Sequence, residues 1–122
     1  MPDYPRRHLP QQFLPLTVPV FQILLSLVDD DLHGYAIIQD IRERTGGEVQ
    51  LTASTLYAAI KRLLEEQLID EVAVRPQADA DDPRRRYYRI TALGLDVARL
   101  ETARLERVVK MARRKKFTLR KV

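Results

Sequence analysis

Residues 51–91 read LTASTLYAAIKRLLEEQLIDEVAVRPQADADDPRRRYYRIT, and this stretch decides the fold. Thr52 is a short hydroxyl residue of the kind that caps a helix start. Behind it Leu56, Ile60, Leu63 and Leu64 form one apolar stripe along a helix expected to reach about residue 67. The opposite face carries Ser54, Thr55, Ala58, Lys61 and Arg62, with Tyr57 at the border. Two short β segments follow, 69–74 and 86–91; in the second, Tyr88 and Ile90 alternate with Tyr87 and Arg89. The turn-rich loop between them, 76–85, is acidic first (Asp79, Asp81, Asp82) and then basic (Arg84, Arg85, and Arg86 just beyond).

Two helices precede this stretch. The first is expected to start at Thr17, with Pro19 tolerated in the first turn, and carries Val20, Phe21, Ile23, Leu24, Leu25, Leu27 and Val28. It is apolar on more than one face, which suits burial against its own domain and against a second chain. Asp29, Asp30 and Asp31 end it, and a solvated helix end outweighs a metal-binding trio. The second helix spans about 34–45, with Tyr35, Ile37, Ile38 and Ile41 as apolar positions, and stops at Gly46-Gly47. His33 before it is expected to cap or pack the turn. A fourth helix follows Thr91 and is expected to reach about residue 116. Its line of Leu93, Val97, Leu100, Val108 and Met111, flanked by Leu105 and Ala112, repeats after eleven residues, which is about 3.67 residues per turn. A stripe this long exceeds what the other helices can cover, so its outer half calls for another protein chain.

The expected fold is therefore mainly α: a winged helix-turn-helix of three helices plus a two-stranded β-hairpin wing, continued by a long C-terminal dimerisation helix. The divisions are a proline-rich arm (1–16) read as extended or mobile, a DNA-binding domain (17–91), the dimerisation helix (92–116) and a basic tail (117–122). Phe21, Leu24, Leu93, Val97, Leu100, Leu105, Val108 and Met111 are the expected dimer interface.

Composition narrows the function. The chain has 122 residues, 45% of them hydrophobic, which allows one small core. It has no cysteine, which excludes disulfides, thiol catalysis and thiolate metal sites. No apolar run approaches the roughly 20 residues that cross a bilayer, so a cytoplasmic protein without a membrane partner is expected. The net charge of +4 is uneven: residues 1–70 hold 6 Lys/Arg against 10 Asp/Glu, whereas residues 96–122 hold 10 against 3. Basic charge gathers toward the wing and the C-terminal segment, favouring a polyanionic partner.

A helix fits the major groove, where base edges offer distinct donors and acceptors, and the N-terminal end of an inserted helix approaches them most closely. Ser54 and Thr55 are short and polar there; Tyr57, Lys61 and Arg62 are placed to reach phosphate. Taken alone they read as an ordinary solvated face. The hairpin tips the balance: Arg84, Arg85, Arg86 and Arg89 are four cations in six residues, whose repulsion phosphates would relieve. The acids before them lack the turn glycine and distal glutamate of a calcium loop, and are expected to pair with the arginines when no DNA is bound. Arg6, Arg7 and His8, and Arg113, Arg114, Lys115, Lys116, Arg120 and Lys121, could add nonspecific affinity or simply be solvated. No Ser/His/Asp grouping, phosphate-binding glycine loop or histidine–carboxylate spacing points to an enzyme. Neither cofactor nor metal is expected.

HGYAIIQDIRERTGGEVQLTASTLYAAIKRLLEEQLI and, after the loop, RRRYYRITALG together resemble the PadR family of bacterial transcriptional regulators, over about residues 16–99. The resemblance implies a homodimeric repressor on a palindromic operator. The TLY-bearing helix would enter the major groove, the wing would meet the minor groove or its backbone, and the last helix would join the first in the dimer. The single C-terminal helix matches the short branch of the family. Ala53-Ser54 stand where relatives often carry Pro-Gly, so the helix start is expected to differ slightly. Some short members hold flat aromatic drugs between tryptophans at the dimer interface; this chain has no tryptophan, and its small-molecule effector, if any, is unknown. The alternative is a winged-helix interaction module whose basic face binds an acidic protein.

Overall fold

The computed structural model describes residues 9–72 and 85–117. Thr17 opens the helical part as expected: its side chain accepts from the Val20 amide, and α1 (Val18–Asp29) follows with proline in its first turn. His33 caps α2 (Gly34–Arg44) by accepting the Ala36 amide on Nδ1 at 3.2 Å. Gly46 and Gly47 then take φ of 60° and 85°, a left-handed pair that ends the helix. Thr52 caps α3 (Ala53–Glu65), and Thr91 caps α4 (Ala92–Arg113). All four caps leave an acceptor for an otherwise orphaned amide, so the helix starts are set locally.

The expected two-stranded wing is present and gains one short strand. β1 (Leu32–His33), β2 (Ile69–Glu71) and β3 (Tyr87–Ile90) form a three-stranded antiparallel sheet in the order β1-β3-β2. Leu32 pairs with Tyr88 and His33 with Tyr87, while Ile69 faces Ile90 and Asp70 faces Arg89. Two residues are too short for an alternation signal, which is why β1 is not legible as a strand. β1 also gives Tyr87, which alternates with Tyr88, a partner of its own: the His33 ring meets Tyr87 edge-on, centroids 5.2 Å apart, and both tyrosines are buried.

Leu56, Ile60 and Leu63 bury the apolar face of α3 against Ile37, Ile41, Ile23 and Leu27. Leu64 lies off that face and is exposed. The helix stops earlier than residue 67 because Gln67 adopts φ 63° while the Leu68 amide returns to the Leu63 carbonyl at 3.0 Å. α2 is tied to α1 by Arg44, which bonds Asp40 on its own helix and Gln22 and the buried Ser26 across the contact.

Three residues expected at a dimer interface belong to the protomer's own core instead: Leu24, Leu93 and Val97 are 0%, 4% and 0% exposed. The start of α4 lies on α1 and the 3-10 turn of the arm, with Gly94 against Leu68 and Ile90, so that half of the stripe is already covered. The outer half of the stripe, Leu100, Val108 and Met111 with Leu105 flanking it, is exposed, as is Val109. α4 ends at Arg113, three residues short of the expectation.

The arm is also more ordered than expected from residue 9 onward. Residues Pro10–Phe13 form a 3-10 turn, and Phe13, Leu14 and Leu16 pack on the core. Glu101 on α4, 2% exposed, accepts the Leu16 amide at 3.0 Å and pairs with Arg104 one turn later. A buried carboxylate needs such partners, and the two together fasten the arm to α4. Arg6, Arg7 and His8, residues 73–84 with Asp79, Asp81, Asp82 and Arg84, and residues 118–122 with Arg120 and Lys121 lie outside the described residues.

Candidate nucleic-acid interface

The N-terminal turn of α3 is organised by its cap. Thr52 Oγ1 accepts the Thr55 amide at 3.2 Å and donates to Thr55 Oγ1 at 3.0 Å. The Thr55 hydroxyl oxygen is thereby used as an acceptor, which leaves its own hydrogen to donate to another group. Ser54, Thr55, Tyr57, Lys61 and Arg62 are all exposed. Lys61 makes no ion pair among the described residues. Arg62 sits 3.4 Å from Glu66 one turn on, with 72% of its side chain still exposed, so this surface pair restrains it little.

The base of the wing supplies the remaining cations unequally. Arg86 faces Glu71 across β2 and β3 at 3.6 Å and stays 73% exposed. Arg89 is held more firmly: its Nε and NH2 reach both carboxylate oxygens of Asp31, the shortest at 2.8 Å. That carboxylate raises the Arg89 pKa above its ordinary value, through the hydrogen bond first and the charge second. Asp31, read in the sequence as part of a solvated helix end, therefore fixes β3 to the loop after α1. The sequence signal for this was present only as charge complementarity between distant segments.

Arg85 and Arg86 line a cleft of about 500 Å³ together with His33, Gly34, Tyr35, Tyr57 and Tyr88. One wall is α3, through Tyr57; the other is the wing base. The hydroxyl of Tyr57 lies against Gly34, so close that a Cβ there would also meet the ring at 2.8 Å and Leu56 at 3.2 Å. Only glycine lets α3 and the start of α2 approach this far with Tyr57 between them. Tyr88, at the floor, has its pKa raised, by burial first and then by the neighbouring Tyr57 and Glu71. Of the expected contact residues, Tyr57, Arg85 and Arg86 thus converge on one cleft; Ser54, Thr55 and Lys61 are exposed elsewhere on α3, and Arg62 lies toward the arm with Gln12, Leu16 and Glu66. His33 and Gly34 were not singled out for this surface; the HGY motif was their only signal.

Among the described residues no group of His, Asp and Glu is arranged to hold a metal ion, and no helix is long and apolar enough to cross a membrane.

Comparison with known proteins agrees with this arrangement. Residues 23–100 match the family model described as the transcriptional regulator PadR-like family. A PadR family transcription regulator from Clostridium difficile superposes with a TM-score of 0.67 at 28% identity, over 78% of this chain and 94% of that one. A transcriptional regulator from Clostridium thermocellum gives 0.65 at 29% identity, over 76% and 84%. An uncharacterised protein of Lysinibacillus sphaericus is 38% identical over 73 residues, which span 59% of this chain and 63% of the relative's length. The capped helices, the small sheet and the match over most of the chain all bear on one conclusion: this chain belongs to the PadR-like family of transcriptional regulators.

Proposed function

We propose that the chain is a homodimeric repressor that binds a palindromic operator, each protomer placing α3 in a major groove and its wing along the adjoining backbone. The observation that carries this reading is the cleft in which α3 meets the wing base. Tyr57 of α3 lines it together with Arg85 and Arg86, and Lys61 is exposed one turn further along the same helix. Ser54 and Thr55 stand at the helix end that approaches base edges most closely. Phosphates supply most of the affinity in such an interface and the short polar side chains the discrimination.

The dimer is supported by the outer half of α4. Leu105 and Val109 join Phe21 of α1 in lining an open, mainly apolar groove of about 450 Å³, and Leu100, Val108 and Met111 extend the apolar surface beside it. Uncovered apolar surface of this extent on a charged helix suits a second copy, with Phe21, Leu100, Leu105, Val108 and Met111 as its contacts. Two copies of α3 then face the same side of a duplex, which makes a palindrome the matching target.

The test is a competition titration at about physiological salt between the duplex upstream of the chain's own coding sequence and a scrambled duplex of equal length. A specific regulator prefers the first by about a thousandfold or more. Equal affinity for both, together with capture of an acidic protein by the same face, would replace this reading by the interaction module.

A further inference from the structure

Among the described residues, α4 buries Leu93, Gly94, Val97, Ala98 and Glu101, and the last of these is the only one with a charge. Its carboxylate is held from two sides. Oε2 accepts the Leu16 amide of the arm at 3.0 Å and NH2 of Arg104 at 3.0 Å, and Oε1 accepts Nε of Arg104. Apolar groups of similar volume replace a buried ion pair without loss of stability in many proteins, so packing alone does not call for a carboxylate here. What the carboxylate adds is direction, because its hydrogen bonds are satisfied in one arrangement of arm and helix. Past Glu101 the helix leaves the domain: residues 102–113 are half-buried or exposed. The arm also touches the recognition unit, since Gln12 and Leu16 line a cavity of about 140 Å³ with Arg62 and Glu66 at the end of α3. Leu16 and Glu101 both lie outside residues 23–100, so their contact is not part of what this chain shares with the family model.

We infer that the contact of Leu16, Glu101 and Arg104 is a strap that sets the angle at which α4 leaves the domain, and with it the spacing of operator half-sites that the dimer accepts; the inference rests on the dimeric DNA-binding reading above. The exposed outer half of α4, with Leu105, Val108 and Met111, meets the second copy, whereas α3 stays with the domain. The separation of the two copies of α3 is therefore decided at the joint between α4 and the domain, where the strap sits. Residues 102–113 span about 18 Å at about 1.5 Å per residue. A tilt of about 10° at Glu101 moves their far end by about 3 Å, close to the rise of one base pair, about 3.4 Å. One base pair also turns the duplex by about 34°, so a joint that drifts this far cannot select one spacing. Glu101 and Arg104 are positioning residues, acting on DNA through where they hold α3.

The chain has no cysteine, so Lys61→Cys on the exposed side of α3 takes one spin label per protomer. Pulsed dipolar spectroscopy of the DNA-free dimer then reads the distance between the two copies of α3. With Glu101 and Arg104 intact the distance distribution should be narrow. Glu101→Met fills the buried site without its hydrogen bonds, and Arg104→Met releases the carboxylate on one side. Each should widen the distribution by about 3 Å or more, the displacement of a tilted α4. Binding by the unlabelled proteins supplies the second reading. Shifting the operator half-sites by one base pair should weaken the wild type about a hundredfold, as the second half-site is lost, and the two variants less than about tenfold. Affinity for a duplex with a single half-site should be equal in all three. Narrow distributions in both variants, or a spacing preference as sharp as the wild type's, would overturn the strap. So would a loss on the single half-site equal to that on the operator, which would assign Glu101 a purely structural role. Absence of dipolar coupling in the parent protein would instead remove the dimer, and equal affinity of the wild type for operator and scrambled DNA would remove the regulator reading.

Discussion

Lys61→Ala tests the phosphate contacts of α3 in their simplest form. Lys61 is exposed, makes no ion pair among the described residues and lies on the face of α3 opposite Leu56, Ile60 and Leu63. Alanine is at least as good a helix former, so thermal stability should change by less than about 0.5 kcal/mol. Binding should change much more. Each phosphate neutralised contributes about 0.9 to the slope of log affinity against log salt. A homodimer carries the substitution twice, so the slope should fall by about 1.8. Between about 50 and 200 mM salt, a fourfold range, one contact is worth about 3.5-fold and the pair about 12-fold. The penalty of the substitution should therefore be about 12 times larger at the low-salt end. Fluorescence anisotropy titrations of a labelled duplex across that range give both slopes directly. Parallel lines for wild type and variant would show that Lys61 touches no phosphate and would refute its assignment to the DNA-contacting face.

Gly34→Ala should leave the chain folded, because the position is the first of a helix, yet force the Tyr57 ring out of its place; DNA affinity should fall at least about tenfold while circular dichroism is retained. Glu101→Ala should cost about 2–3 kcal/mol, since the Leu16 amide and Arg104 lose their partner together, as read by chemical denaturation. The same carboxyl gives a pH signature. The Arg104 hydrogen bond, with the Leu16 amide after it, holds the Glu101 pKa below its ordinary value against the opposing effect of burial. Its stabilisation is thus complete above the usual glutamate range and is lost as pH falls through the lowered value. Glu101→Gln should flatten that acid limb of the stability curve, and an unaltered limb would assign it to other carboxylates. Leu105→Glu places a charge in the apolar groove; sedimentation should show a folded monomer, with operator affinity reduced about a hundredfold or more as the second half-site is lost.

How far the sequence could be read followed from the range of the interactions. Helix starts at Thr17, Thr52 and Thr91 were legible because a cap is a contact between residues three apart, and the stripe of α3 because it repeats locally. β1 was not, since Leu32 and His33 become a strand only when β3 arrives from more than fifty residues away. The same distance hid the Asp31–Arg89 pair and the docking of Leu16 on Glu101. Periodicity on α4 located an apolar line but could not divide it: Leu93 and Val97 are spent on the protomer core, whereas Leu105 and Val108 remain open. At the candidate interface the cations were visible as composition. Their convergence on a cleft with His33 and Tyr57 required the fold, because it joins the start of α2, the side of α3 and the base of β3.

The most direct test of the central claim is a hydroxyl-radical footprint of the wild-type protein on the duplex upstream of its own coding sequence. A dimer reading a palindrome should protect two segments about one helical turn apart on the same face of the duplex, at two chains per duplex. A single protected segment at one chain per duplex, or uniform weak protection along its whole length, would contradict it.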